Sequence, residues 1–215
     1  MAHTLDTSGF DEFGRCLPGT VTAPAHPRSR RYFALTPPTI DYPAIHARLC
    51  RHLGAGLQMS SDEFASRASA ILKRLEADQR CAAITRGVAV PFILPRGQVP
   101  DIGSVLEQHF LPAVADAFHE KFPDHCFTNH NKAGLGGRLS AQPDSRHERL
   151  IDAMADKDVV GVYFPCLSEY SIPAALQRTS TLPEHFLLAG GFDTCAALVG
   201  APELLRRTDG YPPLL

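Results

Sequence analysis

The stretch Asn129–Arg138 has the densest set of residues that could bind or transform a ligand. Lys132 and Arg138 flank three glycines in it. Cationic side chains beside accessible backbone amides are suited to holding a phosphate or a carboxylate. His130 lies in the same stretch and could exchange a proton with such a ligand. Two alternatives remain open: a surface loop, or a metal site that would need further ligands from elsewhere in the chain.

A second candidate is the glycine pair Gly190-Gly191, which separates an apolar segment from a predicted helix. Two glycines at a helix start let backbone N–H groups approach an anion, helped by the positive end of the helix. Asp193 or Thr194 could instead cap the helix and satisfy the same groups. The complete dinucleotide and P-loop glycine patterns are both absent, so the pair alone does not define a nucleotide site.

The third and fourth candidates follow two predicted strands. Arg96 comes after the apolar run Val88–Leu94, and Cys166 and Glu169 come after Val159–Phe164. A cysteine at a helix start has a lowered pKa and could act as a nucleophile beside a histidine, with Glu169 in acid/base chemistry. The alternative is that Cys166 is a packed bystander.

Other polar patterns are more simply explained by structure. His109, Asp116 and Glu120 share one edge of a predicted long helix beside its apolar stripe, as expected for a solvated flank. His46 lies next to the apolar face of another helix, where histidine is usually a packing residue. The two Asp-x-x-His pairs, Asp116 to His119 and Asp144 to His147, are close to the number expected by chance, so no metal site is predicted.

The elements that would position these residues alternate between strands and helices. Asp41 is predicted to cap a helix over Tyr42–Leu53, Ser60 or Ser61 one to about Gln79, and Asp144 or Ser145 one to about Ala155;. Further helices are predicted from Asp101, with a kink at Pro112, over about Ser168–Arg178, and from about Asp193 to Arg207;. The predicted strands are Arg31–Thr36, Val88–Leu94, Val159–Phe164 and His185–Ala189;.

This alternation predicts an α/β fold of three layers, with helices on both faces of a mostly parallel, possibly mixed, sheet. Residues 1–30 are expected to form an irregular arm and residues 31–215 a single domain. Ligands of open α/β sheets bind beyond the carboxyl ends of the strands. We therefore expect the candidate residues to meet at one rim of the sheet.

Composition limits the function classes. The chain has 215 residues, 44% of them hydrophobic, and a formal net charge of −2. These values permit a proper core and give no general attraction to nucleic acid. The N-terminus has no signal-peptide pattern and the apolar runs are far shorter than the ~20 residues that cross a bilayer. Six dispersed cysteines suggest reduced thiols and a cytoplasmic location;.

Together these features predict an enzyme or ligand-binding domain that acts on a small anionic metabolite bearing a phosphate or carboxylate. Transferase or hydrolase chemistry would fit the candidate residues, although catalysis itself and the identity of any cofactor are left open. The alternative is a non-catalytic protein-interaction module that uses the N-terminal arm and the apolar C-terminus, with a homodimer as one arrangement.

Overall fold

The structure is a computed structural model of the chain, and it describes residues 38–54, 57–85, 87–130, 134–165, 177 and 179–206. The chain divides into two compact units. Every helix and strand described below belongs to the unit made of Phe33–Cys166 and Ala189–Leu215. The described part of the other unit is residues 177 and 179–188, where turns are closed by hydrogen bonds from Leu182 N–H to the Thr179 carbonyl and from Phe186 N–H to the Pro183 carbonyl.

The described residues are mostly helical. The elements in chain order are α1 (Tyr42–Leu53), α2 (Ser61–Glu76), a 3₁₀ turn (Gln79–Cys81), α3 (Ala82–Thr85), β1 (Val90–Leu94), α4 (Ile102–Val105), a π-helical turn (Leu106–Phe110), α5 (Leu111–Lys121), α6 (Arg146–Asp156), β2 (Val159–Tyr163), α7 (Gly191–Gly200) and a second 3₁₀ turn (Pro202–Leu205).

The predicted three-layer α/β fold is wrong. Within the described residues, the sheet consists of β1 and β2 alone, paired antiparallel with Val90 opposite Tyr163 and Leu94 opposite Val159. The segment His185–Ala189 is not a strand, and the predicted strand Arg31–Thr36 lies outside the described residues. The apolar run of β1 did indicate burial correctly, but the helix α7 packs against this strand where a parallel sheet was expected.

Local capping explains where the helices begin. The carboxylate of Asp41 accepts a hydrogen bond from Ala44 N–H, and the hydroxyl of Ser60 accepts one from Glu63 N–H. Ser145 does the same for α6 through Glu148 N–H. Each cap satisfies an N–H group that has no partner inside its helix. These starts confirm the sequence prediction for α1, α2 and α6.

The long predicted helix from Asp101 is real but changes form in the middle. Asp101 caps it through Ser104 N–H, and the chain stays helical through α4, the π-helical turn and α5. In the π-helical turn, Leu111 N–H donates to the Leu106 carbonyl, five residues back. Pro112 follows immediately and has no N–H to continue the regular ladder. The kink expected at Pro112 is therefore a wider turn just before it.

The core is built around α7. Most of its residues are buried, including Phe192, Cys195 and Val199, and it contacts β1, α1 and α5. A helix that is apolar on nearly every side must be enclosed by other elements. α7 begins two residues before the predicted start, and it ends at Gly200, shortly before Pro202.

Candidate functional site

The described residues form a groove of about 740 Å³. Its walls are the C-terminal end of α1, the loop of residues 95–100, and the continuous helix formed by α4, the π-helical turn and α5. We call it the α1–α5 groove. All of its lining residues belong to one compact unit of the chain.

The loop that carries Arg96 is fixed by backbone hydrogen bonds. Asp158 accepts one from Arg96 N–H at 2.8 Å and another from Gln58 N–H at 3.2 Å. Gly97 N–H donates to the Met154 carbonyl at 2.8 Å, which ties the loop to α6. Arg96 lines the groove with an exposed side chain, and no carboxylate of the described residues pairs with its guanidinium.

The floor of the groove is apolar. Phe110, Ala113 and Met154 line it although each is less than 5% exposed. Half-buried Val99 and Val105 add further apolar surface. A ligand in this groove would therefore cover hydrophobic atoms while its polar groups meet the rim, which is the usual composition of a small-molecule site.

Beside the groove, α1 and α5 are joined by an ionic contact. Arg51 Nη1 donates to Glu120 Oε1, and His52 Nε2 lies 2.9 Å from Glu120 Oε2. Hydrogen bonds from Arg51, and then from His52, hold the pKa of Glu120 below its ordinary value. Arg51 and His52 line the groove, but both side chains already contact this carboxylate.

This contact makes a pH prediction. Because the pKa of Glu120 is lower in the folded chain, the contact stabilises the fold above the ordinary pKa of a glutamate, and the contribution is lost as the pH falls through the folded pKa. The unfolding free energy of the wild type should exceed that of Glu120→Gln at about pH 7, and the difference should shrink towards about pH 3. Urea titrations at several pH values would measure it, and a difference that is constant or grows in acid would contradict it.

The helix edge of His109, Asp116 and Glu120 is the feature that the sequence interpretation missed. His109 and Asp116 line the groove, and Glu120 joins α5 to α1. Asp116 is exposed and has no hydrogen-bonding or ionic partner within the described part of the chain. The shared edge was visible in the residue spacing. What the spacing could not show is that α1 and the loop of residues 95–100 face that edge.

The predicted anion site at Gly190-Gly191 has a different local structure. Gly190 N–H donates to Asp193 Oδ1 at 2.8 Å, and Asp193 is buried. Burial raises the pKa of Asp193, against the opposing effects of the Gly190 amide and His147. At Gly191 an added Cβ would lie 2.6 Å from a methyl carbon of Leu106, so close packing requires glycine there. None of the residues Gly190, Gly191, Asp193 and Thr194 lines the α1–α5 groove.

The glycine-rich stretch before Arg138 packs against the first turns of the long helix. Gly136 N–H donates to Glu107 Oε2 at 3.2 Å, and Gly137 N–H donates to Asp101 Oδ1 at 3.1 Å. Hydrogen bonds from Ser104, and to a lesser degree from Gly137, hold the pKa of Asp101 below its ordinary value. These two amides therefore bind carboxylates of the chain itself. Arg138 lies outside the groove lining and donates to the Gly134 carbonyl.

The remaining candidate residues are not gathered at the groove. His130 is exposed and is not among the lining residues, whereas Lys132, Cys166 and Glu169 lie outside the described residues. Burial, with a smaller contribution from Asp193, raises the pKa of Cys195 to about 12, which makes that thiol unreactive;. Within the described ranges, no group of three or more histidine, cysteine or acidic side chains is placed to hold a metal ion.

Comparison with protein-family models, curated proteins and solved structures gives no match to this chain. No helix of the described segments has the length and apolar character needed to cross a membrane.

Proposed function

We propose that the protein binds a small anionic metabolite in the α1–α5 groove, with the phosphate or carboxylate of that metabolite at Arg96. The observation that carries the proposal is an exposed guanidinium, without a carboxylate partner among the described residues, on the rim of a cavity with an apolar floor. Arg forms paired, charge-assisted hydrogen bonds with these anions. The apolar floor would add affinity for the body of the ligand.

Arg96 is a better anchor than the other cations of the groove. Arg51 and His52 already contact Glu120, so an anion at that end would have to compete with a carboxylate of the protein. The backbone of Arg96 is held by Asp158, which limits the entropy that the loop would lose on binding;. His109 also lines the groove and supplies a group that could exchange a proton with the ligand;.

Acyl or group transfer through Cys166 and Glu169 stays a prediction, since both residues lie outside the described part of the chain. The alternative of an interaction module also stays a prediction, since the N-terminal arm and the C-terminus on which it depends lie outside the described residues.

The test is a thermal-shift screen of the purified protein with a panel of phosphorylated and carboxylated metabolites, followed by calorimetry on the best ligand. Arg96→Gln should weaken binding by about tenfold or more, because it removes a charge-assisted pair of hydrogen bonds. Arg67→Gln is the matched control, since Arg67 is an exposed arginine on α2 that pairs with Glu63 and does not line the groove. A panel without any stabilising anion, or equal affinity in Arg96→Gln, would refute the proposal.

A further inference from the structure

The wall of the α1–α5 groove contains a break in helical hydrogen bonding, at the π-helical turn before Pro112. We infer that this break binds a hydroxyl group of the ligand, which makes the ligand a hydroxylated anion such as a hydroxy carboxylate. This inference rests on the proposed function and extends it to a class of ligand. It is carried by the number of backbone donors and acceptors in residues 106–114.

Pro112 causes the wide turn. It has no N–H, and in a regular helix its ring would clash with the carbonyl four residues back, which here is that of Gln108;. The π-helical turn avoids this clash, because in it Leu111 N–H donates to the Leu106 carbonyl. Regular bonding resumes at Phe110, the N-cap of α5, whose carbonyl accepts the first bond of that helix;.

Between these two bonds the helix has more acceptors than donors. The carbonyls of residues 107–109 lie between the two acceptors, Leu106 and Phe110. Ala113 has the single helical N–H within reach of them, because Pro112 has none. At least one carbonyl of Gln108 and His109 is therefore left without an N–H donor from the helix.

The break lies on the groove wall. Gln108 and His109 on its N-terminal side and Pro112 and Ala113 on its C-terminal side all line the groove. Carbonyls of a helix point towards its C-terminus, so the free acceptor is directed into the gap between these two pairs of residues. Gln108 and His109 are exposed whereas Ala113 is buried, which places the gap where solvent meets the apolar floor. Wide turns of this kind are frequent at functional sites.

The free carbonyl selects the polar group of the ligand. A ligand that covers the gap with a methylene removes water from the carbonyl and leaves it without a partner, which is unfavourable. A hydroxyl donates one hydrogen bond and satisfies it. An ammonium group carries three N–H donors and a full charge, and one neutral carbonyl does not replace its hydration. With the anion at Arg96 of the same groove, the favoured ligand is a hydroxylated carboxylate or phosphate;.

The inference is tested by calorimetry with hexanoate, its monohydroxylated isomers and the methyl ethers of those isomers. Each ether keeps the added oxygen but loses the O–H donor. The wild type should bind the best-placed hydroxyhexanoate about fivefold to tenfold more tightly than hexanoate, since a hydrogen bond is gained and no carbonyl is left unsatisfied. The ether of that isomer should bind no more tightly than hexanoate. Arg96→Gln should weaken both hexanoate and the hydroxy acid.

Pro112→Ala tests the same inference from the side of the protein. It removes the ring and supplies an N–H, so the helix can form the bonds that proline prevents. The preference for the hydroxy acid should fall to within about twofold, while the unfolding free energy in urea should equal or exceed that of the wild type. Pro43→Ala is the matched control and should leave the preference unchanged, because Pro43 is exposed in the first turn of α1, where an N–H has no helical acceptor;.

The outcomes separate this inference from the function on which it rests. If hexanoate binds through Arg96 but a hydroxyl adds no affinity at any position, or if Pro112→Ala keeps the full preference, the hydroxylated ligand is refuted and anion binding stands. If Pro112→Ala does not fold, the hydroxy acid and its ether decide the question in the wild type. If none of these compounds binds while another anion of the panel binds through Arg96, the hydroxylated ligand is again refuted. If no anion binds, both proposals fail.

Discussion

Replacing Gly161 by valine should lower the free energy of unfolding by about 1–3 kcal/mol, the usual range for an overpacked core. Gly161 of β2 is opposite Phe92 of β1, and the phenyl ring lies across the glycine. A Cβ at position 161 would come within 2.3 Å of the ring. Phe92 is only 7% exposed, so its ring has little room to move. Urea unfolding followed by circular dichroism would measure the loss.

The ring contact can be isolated by a double-mutant cycle. In a Phe92→Ala background the added valine meets no ring, so Gly161→Val should lower the free energy of unfolding much less there than in the wild type. Gly97→Ala is the matched control, because an added Cβ at Gly97 has no atom within 4 Å, and its effect should stay within about 0.5 kcal/mol;. Equal costs of Gly161→Val in both backgrounds would show that the ring is not the cause.

The sequence was most informative where structure depends on neighbouring residues. Asp41 was recognisable as a cap, and two other caps were narrowed to Ser60 or Ser61 and to Asp144 or Ser145. This was possible because a helix start needs a short polar side chain three residues before the N–H group that it satisfies;. Val88–Leu94 and Val159–Phe164 were recognisable as strands from their apolar, β-branched composition;. These features require no knowledge of the rest of the chain.

The partners of the strands could not be predicted in this way. A continuous apolar run shows that a strand is buried on both faces, but it does not show whether strands or helices cover it. Much of β1 is covered by α7, a helix that is apolar on nearly every side and therefore buries the strand as a neighbouring strand would. The parallel arrangement was inferred from alternation alone, and the antiparallel register of β1 and β2 overturned it.

That error determined which site residues were expected together. In a parallel sheet, the ends of β1 and β2 would lie at one rim, bringing Arg96 close to the residues after Tyr163. In the antiparallel pair, Leu94 is opposite Val159, so Arg96 meets Asp158, the residue before β2. Arg96 still borders a groove, but its companions come from α1 and α5. Asp116 and His109 were interpreted only as a solvated helix flank, because the elements that face them across the groove are distant in sequence.

Arg48→Ala should lower the free energy of unfolding by about 2–3 kcal/mol, since it removes a charge-assisted hydrogen bond and leaves a buried acceptor unsatisfied. Arg48 Nε donates to the Gly200 carbonyl at 3.0 Å, and Nη2 donates to the same oxygen. Gly200 is the last residue of α7 and is buried. The guanidinium also places positive charge at the C-terminal end of this helix, where it is favourable. Urea unfolding at neutral pH would measure the effect.

The expected loss of stability comes from the Gly200 carbonyl left without its hydrogen bond, and not from lost packing of the arginine side chain. A second variant separates these two causes. Arg48→Met keeps most of the aliphatic packing but donates no hydrogen bond, so it should lose nearly as much stability as Arg48→Ala. Arg67→Ala removes an exposed arginine from an ion pair with Glu63 on α2 and should cost no more than about 0.5 kcal/mol;. A stability of Arg48→Met close to that of the wild type would show that packing by the side chain, and not the bond to Gly200, holds α7 against α1.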